Sequence, residues 1–195
     1  MSTSVTIDQL PAGSGVLAQG MMFPVRIGSV DYYITLQQAL SLVTSASLGL
    51  GSGLTGTVGD HRNSSMIIST AGLTGTFTAD SIIVETTDMT VQYRLNGINK
   101  IINIGTTGIG GMDHGAAPVS GIVGVYLIYN PTTNVYGLLG VNGSAAKLTE
   151  IYSGSYMPTG FTASALVSMW ATDPSGNLIV GAQVGRRVEF PTVTV

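Results

Sequence analysis

The chain has 195 residues, and only 17 of them are charged, 7 Lys and Arg and 10 Asp and Glu. This share of 9 % is far below the roughly 25 % of an ordinary soluble domain. The net charge of −3 argues against a nucleic-acid binder, and the lack of cysteine excludes disulfides and thiolate metal sites. The longest nearly apolar run, Gly121–Tyr129, is far shorter than the about 20 residues of a membrane-spanning helix. So few charges predict that much of the surface is buried in an oligomer.

The first 50 residues are predicted to be extended, with one short helix. Strand signals at Phe23–Gly28 and Asp31–Ile34 precede Thr35–Gln38, which has the pattern of a helix capping box. The apolar residues that follow lie at helical spacing and form one stripe: Leu36, Ala39, Leu40 and Val43. Because a helix of about three turns cannot bury such a stripe alone, we expect Leu36, Leu40 and Val43 to pack on another chain or on another domain.

Residues 51–108 are predicted to form a glycine-rich neck with a β-hairpin, and residues 109–195 a C-terminal β domain. In the neck, Asn96–Gly97 is the strongest hairpin signal, because this dipeptide favours a type I′ turn. Turns at Asn130–Asn134 and Asp173–Asn177 separate further strand signals. Their spacing is typical of an antiparallel sandwich or barrel, with strands at Ile122–Tyr129, Val135–Val141, Ala163–Ala171, Leu178–Val184 and Arg187–Phe190. The fold class is therefore mainly β.

One of these strands is apolar on both of its faces. In Ile122–Tyr129, each of the two alternating sets consists of apolar or small residues. A strand buried on both sides is common in parallel sheets covered by helices, but this chain offers no crossover helices. We therefore expect a neighbouring subunit to cover the second face, at Ile122, Gly124, Tyr126 and Ile128.

Patterns for catalysis or metal binding are weak. Gly51–Gly56 matches the spacing G-x-G-x-x-G, but it follows a predicted helix and precedes a strand, the reverse of a dinucleotide site. His61 and His114 each adjoin an aspartate, yet two histidines without cysteine make a poor metal set, and we interpret both as polar turn residues. The acids are scattered singly rather than paired for glycoside hydrolysis. We predict no enzyme activity, no cofactor and no metal site.

Aromatic residues offer the remaining candidates for recognition. Tyr152 and Tyr156 lie in a predicted loop rich in Gly, Ser and Pro. Loops on rigid β scaffolds commonly carry binding residues, and tyrosine gives stacking area at low entropic cost. We predict receptor binding by Tyr152 and Tyr156, and core positions for Phe161 and Trp170.

The C-terminal half resembles the C-terminal module of tail-fibre proteins from tailed bacteriophages and prophages. In that module a glycine-rich segment precedes an aromatic strand that ends in Asn-Pro-Thr-Thr. A Leu-Leu strand follows, then a Pro-x-Gly-aromatic-Thr segment before a strand with a tryptophan, here Trp170. The matching segments of this chain are Gly111–Ser120, Val125–Thr133 and Tyr156–Ala165, preceded by Leu73–Val84 and Tyr93–Asn103.

The N-terminal segments Ile7–Pro11, Phe23–Val25 and Tyr33–Gln38 are similar to virion-attachment segments of phage fibres and appendages. The resemblance implies a homotrimer in the virion tail, made in the cytoplasm of a bacterial host, with the stripe of Leu36, Leu40 and Val43 at the trimer interface. Its N-terminus would bind other tail or baseplate proteins, and its distal knob would bind host surface polysaccharide, without inserting into a membrane or binding nucleic acid. A purely architectural role, as a collar, baseplate or capsid decoration without a receptor, stays open.

Overall fold

A computed structural model describes residues 22–27, 30–35 and 56–191. The chain divides into two compact units, Met1–Leu50 and Gly51–Val195. The described residues form strands and turns and contain no helix. The predicted helical stripe of Leu36, Leu40 and Val43 lies outside them, so that prediction stays open.

The described part of the first unit is a pair of antiparallel strands. Strand β1 (Met22–Ile27) pairs with β2 (Val30–Thr35), with Ile27 opposite Val30. Both strands lie where the sequence predicts them. Thr35, the predicted helix cap, is the last residue of β2 and pairs with Met22.

The described part of the second unit contains one antiparallel sheet of nine strands. They are β3 His61–Arg62, β4 Ser65–Ile68, β5 Thr74–Thr86, β6 Gln92–Asn103, β7 Ile122–Asn130, β8 Val135–Asn142, β9 Ala163–Ala171, β10 Gly181–Val184 and β11 Arg187–Glu189. Seven of them follow one another in the order β11-β10-β4-β5-β9-β7-β8, and β3 and β6 pair with the long strand β5. The mainly β, antiparallel fold class is confirmed.

The predicted boundary between residues 108 and 109 does not separate two units. Strand β5, from the predicted neck, pairs with β9 of the predicted knob through Glu85 opposite Ser164 and Thr86 opposite Ala163. Strands β4 and β10 join the same two regions again. The neck and the knob therefore share one sheet, because strands that are distant in sequence pair across the predicted boundary.

The hairpin of the second unit turns at a different place from the one predicted. Strands β5 and β6 pair from Thr74 opposite Asn103 to Glu85 opposite Gln92, and the turn lies at residues 87–91. The hydrogen bond from Thr86 N to Val91 O, 3.0 Å long, closes that turn. The prediction of a turn at Asn96–Gly97 is wrong.

Gly97 bends the strand instead of ending it. Its φ of +63° is a conformation that costs other residues energy. On either side of it, Leu95 and Ile98 both point into the core although they are three residues apart. On β5, Ala79 and Ile82 likewise both point into the core although they are three residues apart. The two strands therefore change their buried face together, which lets the hairpin follow the curved core.

One large core lies inside the curved sheet and takes side chains from β4 to β9. Strands β6 and β8 are not paired, but they approach each other at the open side: Tyr136 Oη donates to Gly97 O over 3.4 Å, and Lys100 Nζ lies 4.6 Å from the centre of the Tyr136 ring. Trp170 is completely buried, and its Nε1 donates to Ile179 O over 2.8 Å. The predicted core positions of Trp170 and Phe161 are confirmed.

The second face of β7 is covered by the chain itself. Residues 143–162, called the covering segment here, connect β8 to β9 and place Tyr152 and Phe161 against Tyr126 and Ile128 in a second, smaller cluster. Tyr126 and Ile128 are at most 1 % exposed in the single chain.

The prediction that another subunit covers this face is therefore wrong for Gly124, Tyr126 and Ile128. Gly124 is buried as well, and a Cβ there would collide with Leu148 Cδ1 of the covering segment. Ile122, at the start of β7, is 38 % exposed and stays open to a partner. Alternation along a strand reveals that a face is apolar, but it does not reveal whether the same chain or another one covers it.

Candidate functional site

The covering segment is attached to the sheet by hydrogen bonds to its own backbone. Tyr126 Oη on β7 donates to Thr149 O over 2.6 Å. On β9, Ser164 Oγ accepts from Tyr152 N over 2.9 Å, and Leu166 N donates to Glu150 O over 2.8 Å. These contacts compensate the polar groups that the segment buries, so that it holds a defined position without being a strand.

The Asp113 carboxylate lies at the centre of a polar network beside this segment. Its side chain is only 3 % exposed. One oxygen accepts from Tyr152 Oη over 2.8 Å, and the other accepts from His114 N over 2.8 Å and contacts His114 Nδ1 at 3.0 Å. A carboxylate oxygen can only accept, so Nδ1 carries the proton in this contact. The backbone of Asp113 is fixed to β8 through a bond from its N to Gly140 O.

This network holds an exposed aromatic surface. The rings of His114 and Tyr156 stack with centroids 4.1 Å apart and planes 18° apart. Tyr156 is 55 % exposed and the His114 side chain 54 %. Tyr156 N also donates to Tyr152 Oη over 3.2 Å. We call the stacked pair the aromatic platform; its position is set by the buried Asp113 and Tyr152.

A cleft of about 250 Å³ adjoins the aromatic platform. Lys147 lines it and makes no ion pair with any residue in the described ranges. Asp113 is the only acidic residue in its lining, and its carboxylate is buried. The hydroxyl-bearing residues of the lining, apart from the three tyrosines, are Thr149, Ser153 and Ser155. The cleft thus combines aromatic rings, hydroxyls and one open positive charge.

Two further clefts border the covering segment. One of about 380 Å³ lies between Phe161 and the β5–β6 turn at Asp88, and one of about 630 Å³ lies between Lys147 and Met89. Glu85 and Glu150 line the larger one. Tyr152 and Ser153 line all three clefts, the one at the aromatic platform, the one at Phe161 and the one at Met89. The three clefts therefore lie around one loop of the covering segment.

Burial controls the ionisation of the two tyrosines beneath the platform. Burial, and then the hydrogen bond to the negative Asp113, raise the pKa of Tyr152 well above its ordinary value. Burial also raises the pKa of Tyr126. Both hydroxyls serve as donors to Asp113 and Thr149 O, and the raised pKa values extend the pH range over which they keep their protons above that of an ordinary tyrosine.

The structure separates the two tyrosines that were predicted to bind a receptor. Tyr156 offers a ring to solvent, whereas Tyr152 is 3 % exposed and packs edge-on against Tyr126, with centroids 5.5 Å apart. Tyr152 therefore positions the site and presents no stacking surface, because its hydroxyl is needed inside the network. The direct-contact part of the prediction is corrected for Tyr152 and stays a prediction for Tyr156.

Sequence reasoning missed the role of Asp113, His114 and Lys147. The sequence predicts His114 to be a polar turn residue and gives its neighbour Asp113 no role in binding. They lie in a bend, where the two side chains contact each other at 3.0 Å. The adjacency of aspartate, histidine and glycine was the available signal. Nothing in the sequence indicated that Lys147 lines the same cleft.

Comparisons of the chain with protein-family models, curated proteins and solved structures find no match in any of the three. Within the part of the chain that the structure describes, no helix is long and apolar enough to cross a membrane. In the same ranges, no group of three or more histidine and acidic side chains could hold a metal ion. The aromatic platform is therefore interpreted from its own geometry.

Proposed function

We propose that the chain is a bacteriophage virion structural protein, a short tail fibre or related tail appendage that contributes to binding the host surface. The observation that carries the proposal is the exposed platform of His114 and Tyr156, fixed by the buried Asp113 on a charge-poor antiparallel β domain.

The order of the motifs supports the class of protein. The segments that resemble the tail-fibre module fall on consecutive parts of one unit: the glycine-rich turn before Asp113, then β7 with its Asn-Pro-Thr-Thr turn, then β8, the loop at Pro158–Phe161, and β9 with Trp170. A shared order of strands and turns is stronger support than any one Gly- or Pro-containing turn.

The aromatic platform supports a role in recognition. Its rings stand on a loop that is fixed to a rigid sheet, which is a common arrangement for binding residues. A flat exposed ring gives contact area without ordering a flexible side chain. Several weak sites on one trimer, and many trimers on one particle, would supply avidity.

An apolar surface on the outer side of the sheet supports assembly with other chains. Ile67 on β4, Ile101 on β6 and Val184 on β10 are 65 %, 62 % and 73 % exposed. Each adjoins a buried residue of its own strand, so that all three point away from the core. Exposed apolar surface of this kind commonly marks a protein interface. We include a homotrimer in the proposal, attached to other tail or baseplate proteins by its N-terminal unit.

The alternative function is purely architectural, as a collar, baseplate or capsid decoration without a receptor. The same outer surface of Ile67, Ile101 and Val184 favours it, because burial against virion neighbours needs no recognition site. The two functions differ in whether the aromatic platform is used.

Native mass measurement of the purified chain, combined with competition for adsorption of the phage that carries it, tests the proposal. A trimer that blocks adsorption is the expected result. A trimer that does not block adsorption supports the architectural alternative. A stable monomer contradicts the fibre.

A further inference from the structure

We propose that the aromatic platform and Lys147 together bind an acidic sugar residue, such as a uronic acid, of a surface polysaccharide. This inference rests on the proposed function, because it names the chemistry of the ligand that the platform would take. It assigns stacking to Tyr156 and His114 and charge recognition to Lys147.

The platform fits the apolar side of a sugar ring. A pyranose has one face of C–H groups, which packs on an aromatic ring, and an edge of hydroxyls, which needs polar partners. Tyr156 and His114 offer exposed rings, and the adjoining cleft is lined by Ser153 and Ser155. Its volume of about 250 Å³ leaves room for one ring rather than for a folded chain. This step selects a saccharide and does not distinguish a neutral sugar from an acidic one.

The charge of the cleft makes that distinction. Asp113 is 3 % exposed, and its oxygens already accept from Tyr152 and His114, so its negative charge is directed into the protein. Lys147 is exposed, lines the cleft and has no ion-pair partner among the described residues. An ammonium group without a partner, beside a stacking surface, favours a ligand carboxylate through a charge-assisted hydrogen bond.

Two further observations indicate that no neighbouring acidic side chain neutralises the charge of Lys147. Glu85 and Glu150 share the larger cleft with Lys147, yet neither forms an ion pair with it. Neither of these glutamates lines the cleft beside the aromatic platform. A ligand that lies on Tyr156 therefore meets the positive charge without having to pass an acidic side chain.

Binding of methyl β-glucuronide and methyl β-glucoside to the full chain tests the proposal. The two probes differ only at C6, which is the carbon of a carboxylate in the glucuronide and of a hydroxymethyl group in the glucoside. Saturation-transfer NMR identifies the bound ring protons, and titrations give the affinities. We expect the glucuronide to bind about five- to tenfold more tightly at low salt, with a difference that shrinks as salt is added.

Variants separate the two contributions. Lys147→Gln is expected to reduce glucuronide affinity to that of the glucoside and to leave the glucoside unchanged. Tyr156→Ala is expected to abolish binding of both. Met89→Ala is the matched control, because Met89 is 72 % exposed and lines the larger cleft but not the one beside the platform. It should bind both probes like the wild type.

Equal affinity for the two probes would overturn the proposal, and so would binding that survives Tyr156→Ala or a lack of binding by either probe. These outcomes are distinct from failure of the proposed function. A preference for the glucuronide that depends on Lys147 supports the site even if the protein does not block phage adsorption. Blocked adsorption together with equal probe affinities supports the function and refutes the acidic ligand.

Discussion

The two faces of β7 are buried by different means. Val125 and Leu127 point into the large core, among side chains from the other strands of the sheet. Tyr126 and Ile128 point the other way and are covered by a loop, the segment 143–162. The second face is therefore held by a smaller apolar cluster, together with hydrogen bonds from Tyr126 Oη to Thr149 O, from Tyr152 Oη to Asp113 and from Tyr152 N to Ser164 Oγ.

This difference separates stability from recognition. A core built from paired strands opens only when the whole unit unfolds, whereas a loop that is held by a smaller apolar cluster and a few hydrogen bonds can open locally. The aromatic platform depends on the second kind of structure, because Tyr156 belongs to the covering segment. Substitutions on the core face are therefore expected to lower the free energy of global unfolding most, and substitutions on the covered face to increase local opening of the covering segment.

The largest expected effect belongs to Leu127→Ala, on the core face. Leu127 is completely buried, so its truncation leaves a cavity among strands that cannot collapse. We expect a loss of about 3 kcal/mol in the free energy of unfolding, measured by urea titration. A loss similar to that of an exposed substitution such as Val135→Ala would contradict the assignment of this face to the main core.

A smaller effect is expected for Tyr152→Phe, on the covered face. The hydroxyl donates to Asp113 and accepts from Tyr156 N, so its removal leaves the buried carboxylate one donor short. We expect a loss of about 1–2 kcal/mol in the free energy of unfolding. Amide hydrogen exchange should accelerate in residues 143–162 while β7 stays protected.

The matched control is Tyr126→Phe, which removes only the bond to Thr149 O. It should accelerate exchange near Thr149 and leave the stack of His114 on Tyr156 intact. If both variants accelerate exchange in β7 as much as in the covering segment, the two layers open together, and the distinction between them fails.

Gly97→Ala tests the core layer without touching the covering segment. No atom lies within 4 Å of the position that a Cβ would take, so the only cost is the φ of +63°. We expect a loss of about 1 kcal/mol. The measurement is a thermal unfolding midpoint, with Gly115→Ala as a second open site of similar φ. No loss at Gly97 would contradict the bend in β6.

Alkaline pH is expected to weaken the covering segment selectively. In the folded chain the pKa of Tyr152 and that of Tyr126 are raised, above about 10 in the unfolded chain. The unfolded state therefore loses these protons first, and the stability that the neutral tyrosines provide is present below pH 10 and falls as pH rises further. The double variant Tyr126→Phe and Tyr152→Phe should flatten this decline, measured by urea titrations from pH 9 to 11.5.

Much of the fold can be predicted from alternation and turn residues. Strand β9 matches its predicted range, and β7 and β8 differ from theirs by one residue each. The turn at Asp173 forms as predicted because its carboxylate accepts from Ser175 N and Asn177 N. These features depend on neighbours in sequence, which a single chain displays directly.

The errors in the fold involve partners that are distant in sequence. Asn96–Gly97 has the composition of a turn, but Asn96 pairs with Ser81 on β5, and this pairing keeps the dipeptide inside β6. The apolar second face of β7 suggested another subunit, because nothing local links Tyr126 to a loop some 25 residues later. The sequence predicts Tyr156 as a binding residue for its place in a loop, but it does not reveal the support from Asp113. That support passes through Tyr152, which lies 39 residues from Asp113 in the chain.

The most direct test of the account compares wild-type protein, Tyr156→Ala and Met89→Ala as competitors for phage adsorption. We predict that the wild type and Met89→Ala block adsorption equally, and that Tyr156→Ala blocks it at least tenfold less well, a loss of about 1.4 kcal/mol in the overall free energy of binding. Equal blocking by all three proteins would show that the platform is not the recognition surface and would contradict the account.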